Sequence, residues 1–278
     1  MNLFSRRKVD FLRFFLGACI FLLFRIFFFH YSKKFFGKTR VIIFHHIDDK
    51  NKFTRLIKFL SKRYNIISFS DYQTNKKSAN KINLIISMDD GYSSWHLNAL
   101  DILQKFEIQP MLFIDTGFIS LPVDTSYKYC LDVIRTWPEK SITWSQLQDF
   151  QAIGADIFSH GSGHHNSLSV SHRIFRKSLS DSKFAIKKNL GIESDIFAYP
   201  YGIYNQNIFN LLTSANYRFA FSTDSGFLED SNHQFSLRRT NLGLRSNLIA
   251  AAIVEGWPDL LSYNFKKIKH FVNAYLHK

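Results

Sequence analysis

Between Val41 and Ser222 short apolar runs alternate with longer amphipathic ones, and this alternation limits the folds open to the chain. Val41-Ile-Ile-Phe44, Lys81 to Met88, Met111 to Ile114, Asp156 to Ser159, Ile196 to Tyr199 and Tyr217 to Ser222 read as strands. Helical patterns separate them: Lys52 to Tyr64 with Phe53, Leu56, Ile57 and Leu60 on one face, Trp95 to Phe106, Trp144 to Ile153, Ser171 to Leu190 and Asn205 to Ala215. Gly154 and Gly191 stand where helices stop. A strand that must pass through a helix before the next strand returns parallel to it, so the expected class is α/β with a parallel sheet, either a barrel or doubly wound. Functional side chains in such sheets gather at the C-terminal ends of the strands. No repeat or low-complexity linker interrupts this pattern, so residues 39–278 read as one domain.

Residues 1–38 read differently. Arg6, Arg7 and Lys8 precede a run from Phe11 to Phe29 that is apolar except for Arg13 and Arg25. Its uninterrupted middle, Phe14 to Phe24, falls short of the ~20 apolar residues a bilayer needs. With both arginines snorkelling to the headgroups the whole run is long enough. The run ends without a small-residue cleavage site, which favours one uncleaved N-terminal transmembrane helix over a signal peptide. Leu16-Gly17-Ala18-Cys19 has a weaker likeness to a lipoprotein box, and a buried soluble helix would need more sequence to cover it. Lys33, Lys34, Lys38 and Arg40 balance the basic residues in front, so charge orients the segment only weakly. The expectation of an extracytoplasmic or periplasmic domain rests on the activity read below.

Cys19 and Cys130 leave the domain one thiol, and cysteine use does not fix the compartment. The formal charge of +14 favours an anionic partner such as a membrane surface or a phosphate-bearing glycolipid. Neither zinc-finger spacing nor a basic recognition helix is present, so nucleic acid is not expected. Tyr263 to Lys278 reads as a basic helix that either lies on a membrane or closes the domain.

Three clusters carry chemistry. Asp89-Asp90-Gly91 follows an apolar strand directly; one carboxylate can hold a metal while the other takes a proton from water, or the pair simply caps a turn. Ser159-His160-Gly161-Ser162-Gly163-His164-His165 also follows a strand, and its histidines can converge on one ion from a loop or a first helical turn. A solvated loop is the bland alternative. Phe197-Ala198-Tyr199-Pro200-Tyr201-Gly202 reads by composition as an aromatic strand ending in a turn.

In this order the three resemble the motifs of the polysaccharide deacetylase family, also called the NodB-homology family or carbohydrate esterase family four. Ser87-Met88-Asp89-Asp90-Gly91 stands for the family's Thr-Phe-Asp-Asp-Gly, Ser159-His160 through His164 for its Ser-His-Ser/Thr-x-x-His, and Phe197 to Gly202 for its Phe-Ala-Tyr-Pro-Tyr-Gly form. Ile142 to Gly154 is similar to the helix leading into the second motif, and Val41 to Ile47, with His45, to the strand and "Tyr-His" that open many members. The resemblance implies a distorted (β/α) barrel holding a divalent metal, most often zinc, on Asp90, His160 and His164. It makes Asp89 the general base and gives the Tyr201 backbone a share in holding the oxyanion. The metal would activate water and polarise the acetamide. The implied enzyme is a metal-dependent N-deacetylase acting on carbon–nitrogen amide bonds other than peptide bonds.

Several positions depart from the family pattern. Gly161 replaces a serine or threonine, and His165 competes with His164 as ligand. Ala198 stands where the third motif often has arginine, while Arg238-Arg239 lies where this subgroup usually shows a basic residue. Ser222-Thr223-Asp224 only hints at a fourth motif, and no Leu-x-x-His supplies the acid. His233 and His270 lie in unsuitable contexts, so the acid is unassigned, with His45 one candidate. The expected substrate is an N-acetylhexosamine, in a cell-envelope polymer or on an undecaprenyl- or lipid A-linked amino sugar of the lipopolysaccharide kind. A decayed sugar-binding or scaffold protein of the same fold is the competing class, and an unrelated metal-dependent amidase or esterase a third.

Overall fold

The computed structural model describes residues 32–256, so the expected transmembrane run at 11–29 and the basic segment at 263–278 lie outside the described residues. The chain divides into two compact units, Met1–Phe36 and Gly37–Lys278. The described end of the first is a short helical turn, in which the Phe35 and Phe36 amides donate to the Ser32 and Lys33 carbonyls. Among the described residues no helix is long and apolar enough to cross a membrane.

The second unit is built on a parallel sheet. Its strands are β1 (Thr39–Phe44), β2 (Asn65–Ile66), β3 (Asn83–Asp90), β4 (Met111–Ile114), β5 (Asp156–Ser159), β6 (Ile196–Ala198), β7 (Phe219–Phe221) and β8 (Thr240–Asn241). They lie in the order β7-β6-β5-β4-β3-β1-β8, with β2 beside the first residues of β3 and β4 beside its last. The sheet curves as a half-barrel, because one late segment reaches both of its ends. Leu237 bridges in parallel to Phe221 on β7, and Thr240 and Asn241 pair with Ile42 and Ile43 on β1. This is the distorted (β/α) form of the two parallel-sheet options.

The helices between the strands are α1 (Lys50–Arg63), α2 (Phe69–Gln73), α3 (Ser94–Asn98), α4 (Leu100–Lys105), α5 (Val123–Tyr129), α6 (Trp144–Ala152), α7 (His172–Leu190), α8 (Phe209–Ser214) and α9 (Asn247–Val254). Their ends follow local chemistry. The Asp49 side chain accepts from the Lys52 amide to start α1, Thr143 and Gln146 form a capping box on α6, and left-handed Gly191 ends α7. The helix expected from Trp95 to Phe106 is two short ones broken at Ala99, and the strand expected to end at Met88 runs on to Asp90.

Strand alternation sorts the core. Ile196 and Ala198 face an inner cluster with Val41, Ile85, Met111, Phe113 and Phe221. Phe197 and Tyr199 face outward into a second cluster under α7 and α8, with Phe175, Leu179, Leu212 and Ala220. Registers then level the strand ends: Asp90 pairs with Ile114, Ile114 with Ser159, and Ser159 with Phe197. The next residue along β4, β5 and β6 (Asp115, His160, Ala198) therefore emerges at a common rim beside Asp90.

Candidate active site and metal centre

Asp89 shares the inward parity of Ile85 and Ser87, so alternation would send Asp90 out toward the helices. It does not go there. Asp90 has φ +84°, a left-handed value that breaks the alternation and brings its carboxyl to the rim beside two histidines. Asp90 Oδ1 lies 3.4 Å from His160 Nε2 and 3.2 Å from His164 Nε2, all three residues being buried. A ligand atom from each of Asp90, His160 and His164 falls within 4.8 Å of the others.

His160 Nδ1 is 2.8 Å from the Ala198 carbonyl, which can only accept, so Nδ1 carries a proton and Nε2 is the nitrogen turned toward Asp90. Asp90 Oδ1 faces both Nε2 atoms but has no hydrogen bond of good geometry. A buried carboxylate oxygen left over between two imidazole nitrogens is a place where a shared cation fits. Burial pushes the Asp90 carboxyl up, but the imidazoles of His160, His164 and His45 outweigh it and hold it well below the usual carboxylate range. Burial pushes His164 down, and Asp90, Asp115 and Asp89 outweigh that and hold it above its ordinary value. The local field thus favours a positive charge, and two nitrogens with one carboxylate oxygen suit zinc or a related divalent ion.

Each ligand candidate is braced from behind. Tyr92 Oη donates to Asp90 Oδ2 at 2.8 Å, leaving Oδ1 for the cluster. The Tyr92 ring stacks on His46 at 3.9 Å, and His46 is itself held between Glu139 (2.5 Å) and Thr136 (2.9 Å). Tyr92→Phe is therefore expected to weaken zinc binding by about tenfold, read by chelator competition, with the fold retained. The histidine loop is held by serines on the buried face of α7: the Ser162 amide donates to Ser178 Oγ, and Ser159 Oγ bonds Ser182 Oγ. Gly161 has φ +84°, which a serine or threonine adopts only with strain, and a Cβ there would meet Ser178 Oγ at 2.9 Å. That close approach accounts for the departure noted at Gly161.

Asp89 is buried and held by Arg239 through two charge-assisted bonds, Nη1 to Oδ1 at 2.7 Å and Nη2 to Oδ2 at 2.8 Å. The arginine also donates to the Ser222 carbonyl and Ser87 Oγ, and its guanidinium lies 4.7 Å from the Phe113 ring centroid. It reaches the site from the segment that touches both ends of the sheet, and so supplies a guanidinium where the third motif, with Ala198, has none. Sequence reading marked the position but could not show where the side chain points.

The remaining candidates distribute unevenly. Tyr201 has φ +60°, its ring meets His164 edge-on at 4.5 Å, and its hydroxyl donates to the Val133 carbonyl. His165 stands outside the Asp90 cluster and lines a cleft of about 500 Å³ with Asp132, Arg135, His164 and Tyr201. His45 presents its carbonyl to Trp95 Nε1, and its ring is near enough to bear on the Asp90 carboxyl. Asp115 was not foreseen. It is a third carboxylate directly after an apolar strand, the same signal that singled out Asp89 and Asp90.

A family model described as polysaccharide deacetylase matches residues 76–220. The poly-β-1,6-N-acetyl-D-glucosamine N-deacetylase of Staphylococcus aureus is 24% identical over 169 residues, which cover 60% of this chain and 57% of that one. The match thus spans a little over half the length of that relative. Among solved structures, the Streptococcus pyogenes deacetylase PplD in complex with acetate aligns at TM-score 0.64 and 18% identity, covering 77% of this chain and 97% of the other. IcaB from Ammonifex degensii aligns at TM-score 0.63 and 18% identity, with 78% and 97% covered. At these identities the two structures speak for the fold.

Proposed function

The chain belongs to the polysaccharide deacetylase family, and from that premise we propose that it is a metal-dependent hydrolase removing N-acetyl groups from N-acetylhexosamines of a cell-envelope glycan or a lipid-linked amino sugar. The observation that carries this reading is the meeting of the Asp90 carboxylate with His160 Nε2 and His164 Nε2 at the rim where Asp89 is also held. The intact set weighs against a decayed binding protein.

Asp90, His160 and His164 would hold the ion, most suitably zinc. When bound, it would supply Lewis acidity toward the acetamide carbonyl and toward water. Asp89 takes the proton of the attacking water. Arg239 occupies one lone-pair site on each of its oxygens and leaves the others free, so the carboxylate is aimed without being blocked. The Tyr201 ring lies edge-on against His164, and the backbone of the same residue helps hold the charge that develops on the carbonyl oxygen. His45 gives a proton to the departing amine. The cleft lined by Asp132, Arg135 and Tyr201 receives the sugar. Residues 1–38 tether the domain, residues 39–278, to a membrane, on its extracytoplasmic side.

Acetate release by the full chain in detergent tests this on β-1,6-linked N-acetylglucosamine oligomers and on a lipid-linked N-acetylhexosamine. Release should stop with a chelator and return with zinc. Zinc-loaded protein that releases acetate from neither substrate would sink the N-acetylhexosamine reading.

A further inference from the structure

The loop that carries His160 and His164 is unusual in its backbone. Gly161, Gly163 and His164 have φ of +84°, +98° and +44°, so three of four consecutive residues are left-handed, one of them not glycine. Such a run does not hold its shape unaided. The serines of α7 brace its first half, and the half that ends in His164 is braced from the opposite side, by the residues after β4.

Asp115 is fully buried, and both of its oxygens are engaged. Oδ1 accepts from the Gly163 amide at 2.9 Å and the Gly117 amide at 3.0 Å, and Oδ2 accepts from Tyr129 Oη at 2.7 Å. The neighbouring Thr116 amide donates to the Gly161 carbonyl at 3.0 Å. Gly117 closes the contact, since a Cβ there would lie 2.9 Å from Gly163 N and 2.9 Å from Tyr129 Oη. Tyr129 ends α5, which continues as a π-turn, Cys130–Ile134, to left-handed Arg135 in the cleft wall. From that turn the Val133 carbonyl accepts from Tyr201 Oη, and the Tyr201 ring returns to His164. The contacts form a closed circuit: His164, Gly163, Asp115, Tyr129, the π-turn, Tyr201 and His164 again.

We propose that Asp115 is a positioning residue for the metal centre, a buried carboxylate that fixes the His164 backbone through Gly163 and ties it through Tyr129 to the cleft wall. The inference rests on the reading of Asp90, His160 and His164 as ligands, but its test reads metal binding and does not depend on deacetylase activity. Both oxygens of Asp115 are committed to protein donors. The residue acts on the direction of one ligand, and through Tyr129 the wall that receives the sugar is set by the same side chain.

The test uses the full chain in detergent and compares wild type with Asp115→Asn, Asp115→Leu and Gly117→Ala. Zinc affinity is measured by chelator competition, and the visible spectrum of the cobalt-substituted protein is recorded, with circular dichroism to confirm folding. Asn keeps an oxygen for both amides and offers an NH₂ to Tyr129 Oη, so Asp115→Asn should stay within about threefold of wild type in zinc affinity. Asp115→Leu loses every acceptor and should bind zinc about 10- to 100-fold more weakly, with altered cobalt bands. Gly117→Ala keeps the carboxylate and wedges a methyl group against Gly163, so it should weaken zinc in the same direction even if the leucine variant fails to fold. Folded Asp115→Leu and Gly117→Ala proteins with wild-type zinc affinity and cobalt spectrum would overturn the proposal, as would a wild type that holds no zinc. A wild type that holds zinc but releases no acetate would leave the positioning role standing and remove the deacetylase reading alone.

Discussion

Asp89→Asn is expected to lower kcat by about 100- to 10,000-fold while zinc stays bound at the wild-type level. The asparagine has the same shape and still accepts one bond from Arg239 through its oxygen, so the cluster of Asp90, His160 and His164 is left in place. What is lost is the oxygen that takes the proton. Acetate release under saturating substrate, beside zinc content by atomic absorption, separates the two effects. Full activity in the variant would move the base elsewhere. Loss of zinc together with activity would make Asp89 a ligand and reverse the roles given to the two aspartates.

Arg239→Leu should be the most destabilising single change in the site, by about 3–5 kcal/mol, because it strands the Asp89 carboxylate in the barrel interior without its partner. The same change removes the cation stacked on Phe113 and leaves the Ser222 carbonyl without the arginine's Nε donor. Denaturant unfolding measures the loss. Adding Asp89→Asn to Arg239→Leu removes the stranded charge, so the double variant should regain much of the stability while remaining inactive. Strictly additive destabilisation would mean that the pair is not coupled.

Much of the scaffold was legible because strand and helix periods are local. The runs at Met111 to Ile114 and Asp156 to Ser159 are strands over those residues, and α7 begins after Ser171 and stops at Gly191 as its capping residues require. The polar clusters at strand ends were legible for the same reason. Elements whose form depends on distant partners were not. β8 is two residues long and is a strand only because β1 lies beside it. The stretch from Asp115 to Ser141, which has no clean period, turned out to hold α5, a π-turn and the wall of the cleft. Ser178 and Ser182 look like surface residues in a helical pattern until the histidine loop is seen lying against them. Arg239 and Asp115 needed three dimensions, since each acts on a residue 150 or 48 positions away.

The lateness of Arg239 in the chain has a consequence for assembly. The candidate metal donors are complete by His164, and the sheet from β1 to β7 is complete by Phe221, yet Asp89, the proposed base, gains its partner only from residue 239, laid between the two ends of that sheet. The first 221 residues contain all three candidate ligands and Asp89 but not the arginine that aims it. The Asp89–Arg239 contact spans 150 positions, and contacts of long sequence separation form slowly. Chain order thus separates the two parts of the proposed centre, with the candidate ligands laid down first and the group that orients the proposed base last.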